Sequence, residues 1–454
     1  MGEKNESSSS FPIGKTAQER RFSYVPECYK VQPSLRAGSD SKLADVPLIN
    51  LDGMSDDPTR RSIIIQEIAN ACRCYGFFQV INHGISQQTL DGALSAAADF
   101  FKLPNSAKAK FMSSDVHTPV RYGTSVRDGV DKVQFWRVFL KHYAHPLKDW
   151  IGLWPDNPHD YREKMGEYVV AVQELAGKIV GLVMESLGLG PSYLSSKLDD
   201  GMQVMAVNCY PPCPQPELAL GLPPHSDYSC LTVVLQNLSG LQILDSRDKS
   251  WKAVPFIPGA LQVNVGDQLE VLSNGRYKSV VHKVTVNSER TRISVAGLHS
   301  LGMDVKMEAA PEMVDEDHPN GYRDSSFKDF LNFIAKNDLG EGRISSTRSR
   351  FSDRDIYHIY IWMSAIRSAG NKEIIPGPIC CLGPIESHPL ARAQRERLMG
   401  CDYEVRVVCL CRFVSSFYSW PNSFGKFPCL MLSSSTCDLF VCLLRSCYSS
   451  MIVF

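Results

Sequence analysis

Between Met202 and Leu298 the chain is written in short apolar runs separated by turn chemistry, and no other stretch limits the fold as much. Residues 202–210, 231–235, 240–244, 251–256, 261–265, 277–284 and 291–298 each read as a strand. Pro211-Pro212-Cys213-Pro214 stops the first of them, because proline cannot donate to a central ladder. Asn274-Gly275 is a strong hairpin signal that feeds 277–284 into a returning strand. Many short strands at even spacing predict a barrel or a two-sheet jelly roll.

Upstream the pattern is helical. Asp56-Asp57-Pro58 offers a capping carboxylate and a proline for the first turn, and Ile64, Ile68, Ala71, Cys72 and Tyr75 then share a face. Residues 76–84 read as a strand closed by a turn that holds His83, and a second helix is expected from about Ser86 to Phe101. The clearest helix runs from about Asp160 to Leu187, with Met165, Val169, Val172, Ala176, Ile179, Val183 and Leu187 at helical steps and Gly188, Gly190 and Pro191 to end it.

Whole-chain properties narrow the function. At 44% hydrophobic and 21% charged residues with a net charge of -1, the chain has the make-up of a soluble globular protein and no general attraction to nucleic acid or acidic membrane. Residues 1–10 carry Glu3, Lys4 and Glu6 and no apolar signal core, Glu6 occupies the position where myristoylation needs Ser or Thr, and the best apolar run near the end is broken by Asp438 and Arg445. A cytoplasmic protein that engages no membrane is expected. Cys28, Cys72, Cys74, Cys209, Cys213 and Cys230 form no paired CxxC array and read as reduced thiols.

Within the strand-rich stretch, Pro223-Pro224-His225-Ser226-Asp227 sets an imidazole and a carboxylate two residues apart, which on extended backbone brings both to one side. Among the 11 histidines only His225 has a carboxylate two residues later. A third ligand must come from elsewhere, and His282, between Val280 and Val284 on one strand face, supplies it. Two imidazoles and one carboxylate leave three adjacent positions open on Fe(II), while a catalytic zinc uses the same set, so the triad alone leaves the metal open. Arg292 and Ser294 share a face of the next strand and favour iron. A guanidinium in an apolar barrel is costly without a partner, and a small-molecule carboxylate is a natural one; an ion pair with a remote acid is the competing reading. Asn208 and Tyr210 share a face of the 202–210 strand and are placed to add amide and hydroxyl contacts.

His225-Ser226-Asp227, His282 and Arg292-Ile293-Ser294, preceded by Asn208-Cys209-Tyr210-Pro211-Pro212-Cys213-Pro214, together resemble the plant 2-oxoglutarate- and Fe(II)-dependent dioxygenases. The resemblance extends over roughly residues 21–345 and takes in Gly76-Phe77-Phe78-Gln79-Val80-Ile81-Asn82-His83-Gly84 and Gly266-Asp267. It implies an α+β class, with a double-stranded β-helix (jelly-roll, cupin-like) core flanked by helices. It implies that His225, Asp227 and His282 bind Fe(II), and that Arg292, Ser294 and Tyr210, with Asn208 beside them, hold the far carboxylate of 2-oxoglutarate. O2 is the other co-substrate, ascorbate the expected reductant, succinate and CO2 the co-products, and no catalytic residue beyond the metal centre is implied. The domains expected are a flexible lead-in over 1–44 with a short helix near Arg20, a mixed helical region over 45–200, the dioxygenase jelly roll over 201–345 and a disordered extension over 346–454.

Within that family the chain looks most like flavanone 3-hydroxylase-type and related specialised-metabolism or hormone oxygenases. The first-choice substrate is a flavonoid such as a flavanone, hydroxylated or desaturated; a gibberellin- or salicylate-type hormone is the alternative. Flavonoid-acting relatives commonly carry an aromatic residue a few positions after the Arg-x-Ser pair, where this chain has Leu298 and then His299, a wall without a ring face. Leu298, Phe135, Tyr122 and Val120 are expected to line the outer pocket. Competing readings are an iron oxidase that does not use 2-oxoglutarate and a metal-binding barrel inactivated by its extension, since relatives stop soon after a segment like Phe327 to Arg343. A monomer acting on a small molecule is expected.

Overall fold

The computed structural model describes residues 11–36, 42–125 and 133–336, so the expectation for residues 346–454 lies outside the described residues. Helix α1 (Pro58–Cys74) begins where Asp57 accepts backbone N–H bonds from Thr59 at 2.8 Å and Arg60 at 3.1 Å. Such a cap is worth about 1 kcal/mol. It is followed by α2 (Gln87–Lys102), α3 (Asn105–Lys108), α4 (Leu147–Trp150), α5 (Tyr161–Ser186), α6 (Ser195–Asp199), α7 (Asp267–Leu272) and α8 (Phe327–Lys336). On α5 the apolar residues from Met165 through Val183 named above are buried, and they pack against α1, α2 and one face of a large sheet.

The strands are β1 (Leu48–Asn50), β2 (Phe77–Ile81), β3 (Val120–Gly123), β4 (Val138–His145), β5 (Met202–Tyr210), β6 (Leu222–His225), β7 (Leu231–Gln236), β8 (Leu241–Leu244), β9 (Trp251–Ala253), β10 (Leu261–Val265), β11 (His282–Val284) and β12 (Arg292–Ser300). The large sheet runs β1-β2-β10-β7-β12-β5-β4-β3 and the small sheet β6-β11-β8-β9, the two-layered jelly roll with flanking helices that the sequence implies.

Alternation along the large-sheet strands divides the labour. Met205, Val207 and Cys209 of β5, Leu231, Val233 and Leu235 of β7, and Ile293 and Val295 of β12 join the helices in the main core. Their neighbours Val204, Ala206, Asn208, Tyr210, Thr232, Val234, Arg292, Ser294, Ala296 and Leu298 line the space between the sheets.

Two local expectations are corrected, and one strand that the sequence reading did not name is added. Asn274 (φ 47°) and Gly275 (φ 78°) do adopt the left-handed backbone of a turn, but they end α7, with the Gly275 N–H bonded to Glu270 O at 2.8 Å. The buried Leu269, Val271 and Leu272 make that segment a core helix, so no hairpin forms there. β11 begins only at His282 and pairs β6 and β8, whereas β12 pairs β5 and β7 in the other sheet. The added strand is β6, with Pro223 and Pro224 inside it, an edge strand of the small sheet where a missing N–H is tolerated.

Part of the lead-in expected to be flexible is packed instead. Ala17, Val25 and Tyr29 are buried, Tyr29 meets Trp136 edge-on at 5.4 Å between ring centroids, and near Arg20 there is a single turn closed by Arg20 N–H to Thr16 O at 2.9 Å. Irregularly spaced apolar residues leave no period to read. The six described cysteines are free thiols, and burial pushes that of Cys72 up to about 12.

Candidate metal and co-substrate site

β6 ends at His225 and β11 starts at His282, and the two are opposed in the small-sheet ladder, so the imidazole rings stand 4.1 Å apart between centroids. Asp227 follows immediately. Its Oδ1 is 3.7 Å from His225 Nε2 and 3.6 Å from His282 Nε2. The other ring nitrogens are spoken for: His225 Nδ1–H donates to Pro223 O at 2.8 Å and His282 Nδ1–H to Val280 O at 3.2 Å. A carbonyl only accepts, so it fixes the tautomer and leaves each Nε2 lone pair for a metal. Asp227 Oδ2 accepts from Asn264 Nδ2 at 2.9 Å, which turns Oδ1 toward the imidazoles.

Burial first, then the neighbouring His282, push His225 down to about 3, so it stands neutral. Burial opposes the Asp227 carboxylate, but His282, His225 and the Asn264 amide outweigh it and hold the group below the usual carboxylate range. Two imidazole Nε2 atoms and one carboxylate oxygen, all inside one 4.8 Å cluster, fit a divalent transition metal. The backbone behind them is tight. Asp267 N–H bonds Asp227 O at 2.8 Å, and a Cβ on Gly266 would overlap the carbonyl oxygen of Ser229.

Facing this cluster from the large sheet, Arg292 is opposed to Tyr210 in the ladder and its guanidinium lies 5.0 Å from the Tyr210 ring centroid. Arg292 Nη2 donates to Gln236 Oε1 at 2.7 Å and Nε to Leu238 O at 3.1 Å, while Nη1 is buried with no hydrogen-bond partner. Among the described residues no carboxylate pairs with it, so the remote ion pair is not formed. A buried, orphaned guanidinium donor is what a ligand carboxylate would satisfy. Ser294 sits next along the same face, opposed to Asn208 and Gln236. Asn208 Oδ1 accepts from Arg137 Nη1 at 3.0 Å.

The triad, Arg292, Ser294, Tyr210, Asn208 and Leu298 line one cavity of about 270 Å³. Val120, Tyr122 and Phe135 do not. The inward residue of β3 is Arg121, while Val120 and Tyr122 point to the helices, where Tyr122 lies 6.1 Å from the Phe100 ring and its hydroxyl donates to Glu19 at 2.9 Å. Phe135 precedes β4 and is covered by Val31 and Leu220. Sequence reasoning chose the wrong parity on β3 and did not foresee that the N-terminal segment would claim Phe135.

Sequence reasoning also missed Asn264, Gln236, Arg121, Arg137 and Lys141, and the rings of α8. Gln236 was signalled by Val234 and Thr232, two and four residues earlier on the same face. Phe327, Phe330 and Phe333 of α8 line the cavity, with Phe330 stacked 4.7 Å from Tyr228, so ring faces are present although Leu298 has none. His299 points the other way, its Nδ1 bonded to Gln173 Oε1 at 2.8 Å. His83 is remote and bonds Gly259 O at 3.0 Å. Among the described residues no helix is long and apolar enough to cross a membrane.

Comparison with known proteins agrees with this geometry. The model of the 2OG-Fe(II) oxygenase superfamily matches residues 201–300, and that of the non-haem dioxygenase in morphine synthesis N-terminal region matches 46–159. The chain is 48% identical over 293 residues to flavanone 3-dioxygenase 3 of Oryza sativa subsp. japonica, covering 64% of this chain and 89% of that one. It is 40% identical over 317 residues to protein DOWNY MILDEW RESISTANCE 6 of Arabidopsis thaliana, covering 68% and 91%. The crystal structure of JOX2 in complex with 2OG, Fe and JA matches with a TM-score of 0.62 at 33% identity, over 71% of this chain and 95% of that one.

Proposed function

This chain belongs to the 2OG-Fe(II) oxygenase superfamily, an oxidoreductase family that works on Fe(II) and 2-oxoglutarate, and from that premise we propose that it hydroxylates a small aromatic molecule, with a flavonoid such as a flavanone as first choice. The observation that carries the reading is the pairing of His225, Asp227 and His282 on one wall with the orphaned Nη1 of Arg292 on the other, inside one cavity.

In this proposal His225 Nε2, Asp227 Oδ1 and His282 Nε2 hold the iron, which, with 2-oxoglutarate and O2, supplies the oxidising chemistry. Arg292 and Ser294 grip the far carboxylate, and Tyr210 supports the guanidinium with its ring. Gln236 and the Leu238 carbonyl keep the guanidinium from turning away. Asn264 keeps Asp227 from rotating. Leu298, Phe327, Phe330 and Phe333 exclude water and give a flat substrate apolar surface.

The name of one relative, flavanone 3-dioxygenase 3, supports a flavanone. One observation favours a second reading, a small hormone-type acid: the cavity wall also carries the cations Arg121, Arg137 and Lys141. The test is succinate release by the full chain reconstituted anaerobically with Fe(II), then given O2 and 2-oxoglutarate with and without flavanones and aromatic acids. Turnover stimulated by a flavanone is expected. No succinate under any condition would sink the proposal.

A further inference from the structure

The inner face of the large sheet is ruled in rows by its register. One row reads Arg121, Lys141, Ala206, Ala296, Val234 across β3, β4, β5, β12 and β7. The row toward Arg292 reads Phe139, Asn208, Ser294, Gln236, and the row on the other side Tyr143, Val204, Leu298, Thr232. Both neighbours are filled with larger side chains. The middle row alone sets two alanines side by side, so the floor dips there, and Lys141 stands at the end of the trough.

The Lys141 ammonium donates to Val116 O at 2.9 Å and lies 4.8 Å from the Tyr143 ring centroid. Among the described residues it has no carboxylate within ion-pair distance. Arg121, beside it on β3, gives its guanidinium to Ser113 O at 2.6 Å and Ser125 O at 2.7 Å. A cation with one carbonyl partner, held between apolar walls, is left short of charge compensation.

We propose that Lys141 selects the substrate by pairing with an ionised oxygen, a carboxylate or an acidic phenol, on a flat molecule that lies over Ala206 and Ala296 with α8 above it. This rests on the reading of the cavity as the place where a substrate is oxidised, and it names the chemical handle that substrate carries. Burial, with Arg121 adding to it and Asp115 opposing it, draws Lys141 down to about 7. An anion in the trough would raise that value again, so anion binding weakens as pH rises through about 7.

Calorimetry on the full chain loaded anaerobically with Fe(II) and 2-oxoglutarate tests the proposal with two matched pairs of probes, cinnamate against cinnamamide and pentafluorophenol against its methyl ether. Slightly below neutral pH at least one anion should bind about tenfold more tightly than its neutral partner. A preference in the first pair identifies a carboxylate handle, and in the second a phenolate. Lys141→Met should erase the preference with 2-oxoglutarate binding retained, and Lys141→Arg should keep it. Lys141→Gln serves if the methionine variant does not fold. Equal or absent binding of both members in both pairs, or a preference that survives the loss of the ammonium, overturns the proposal. Absence of succinate formation with an intact, Lys141-dependent preference would instead remove the oxygenase reading and leave this one standing.

Discussion

The two walls of the cavity restrain their polar groups by different means. On the small-sheet wall and the loop that follows it, His225 and His282 are fixed by main-chain carbonyls and Asp227 by Asn264, so the ligand atoms point one way before anything binds. On the large-sheet wall Arg292 keeps a buried donor in reserve, and Lys141 leans on a single carbonyl. The metal wall is organised by main-chain carbonyls beside its histidines and by one side chain, Asn264, reaching over from β10 of the large sheet, and it tolerates little change. The opposite wall is assembled from side chains on separate strands, where one residue can be exchanged without unseating its neighbours.

Substitutions can break that contrast. Asp227→Ala removes one ligand of three, and iron should be lost on desalting together with all succinate formation. Arg292→Ala should weaken 2-oxoglutarate binding by about 3 kcal/mol, roughly a hundredfold, and leave iron bound. Metal analysis beside calorimetry decides it, and equal loss of iron in both variants would show that the walls are one unit. Asn264→Ala lets Asp227 turn and should cost about tenfold in Fe(II) affinity. Unchanged affinity would mean that Asn264 does not hold the carboxylate. Phe330→Ala should be the mildest, about 1 kcal/mol or roughly fivefold in KM for an aromatic substrate, with 2-oxoglutarate binding unaltered. A fall in 2-oxoglutarate affinity would place α8 over the co-substrate instead.

What the sequence reveals follows the range of the interactions. The cap at Asp57, the α5 stripe and the stop at Pro211 are local, and each stands where the residues put it. The triad and Arg292 were legible because spacing and residue type together leave few uses for them. The choice between Arg121 and Tyr122 as the pocket residue of β3 was not, since both lie within a four-residue strand whose alternation does not say which face meets the cavity. Asn274-Gly275 carried the correct backbone preference into a different context, because a turn residue specifies φ and not what the turn joins. Phe135 and α8 depend on segments far away in sequence that fold over the jelly roll, a contact that no periodicity announces.

The crossing from β11 to β12 has a mechanical side. His282 and Arg292 are close in the chain yet belong to different layers, so a molecule gripped by the metal at one end and by Arg292 at the other becomes a brace between two sheets. Ligand that binds only the folded form adds to its stability in proportion to the logarithm of its concentration over Kd. The co-substrate is used up in every cycle, so the brace is rebuilt and dismantled each time.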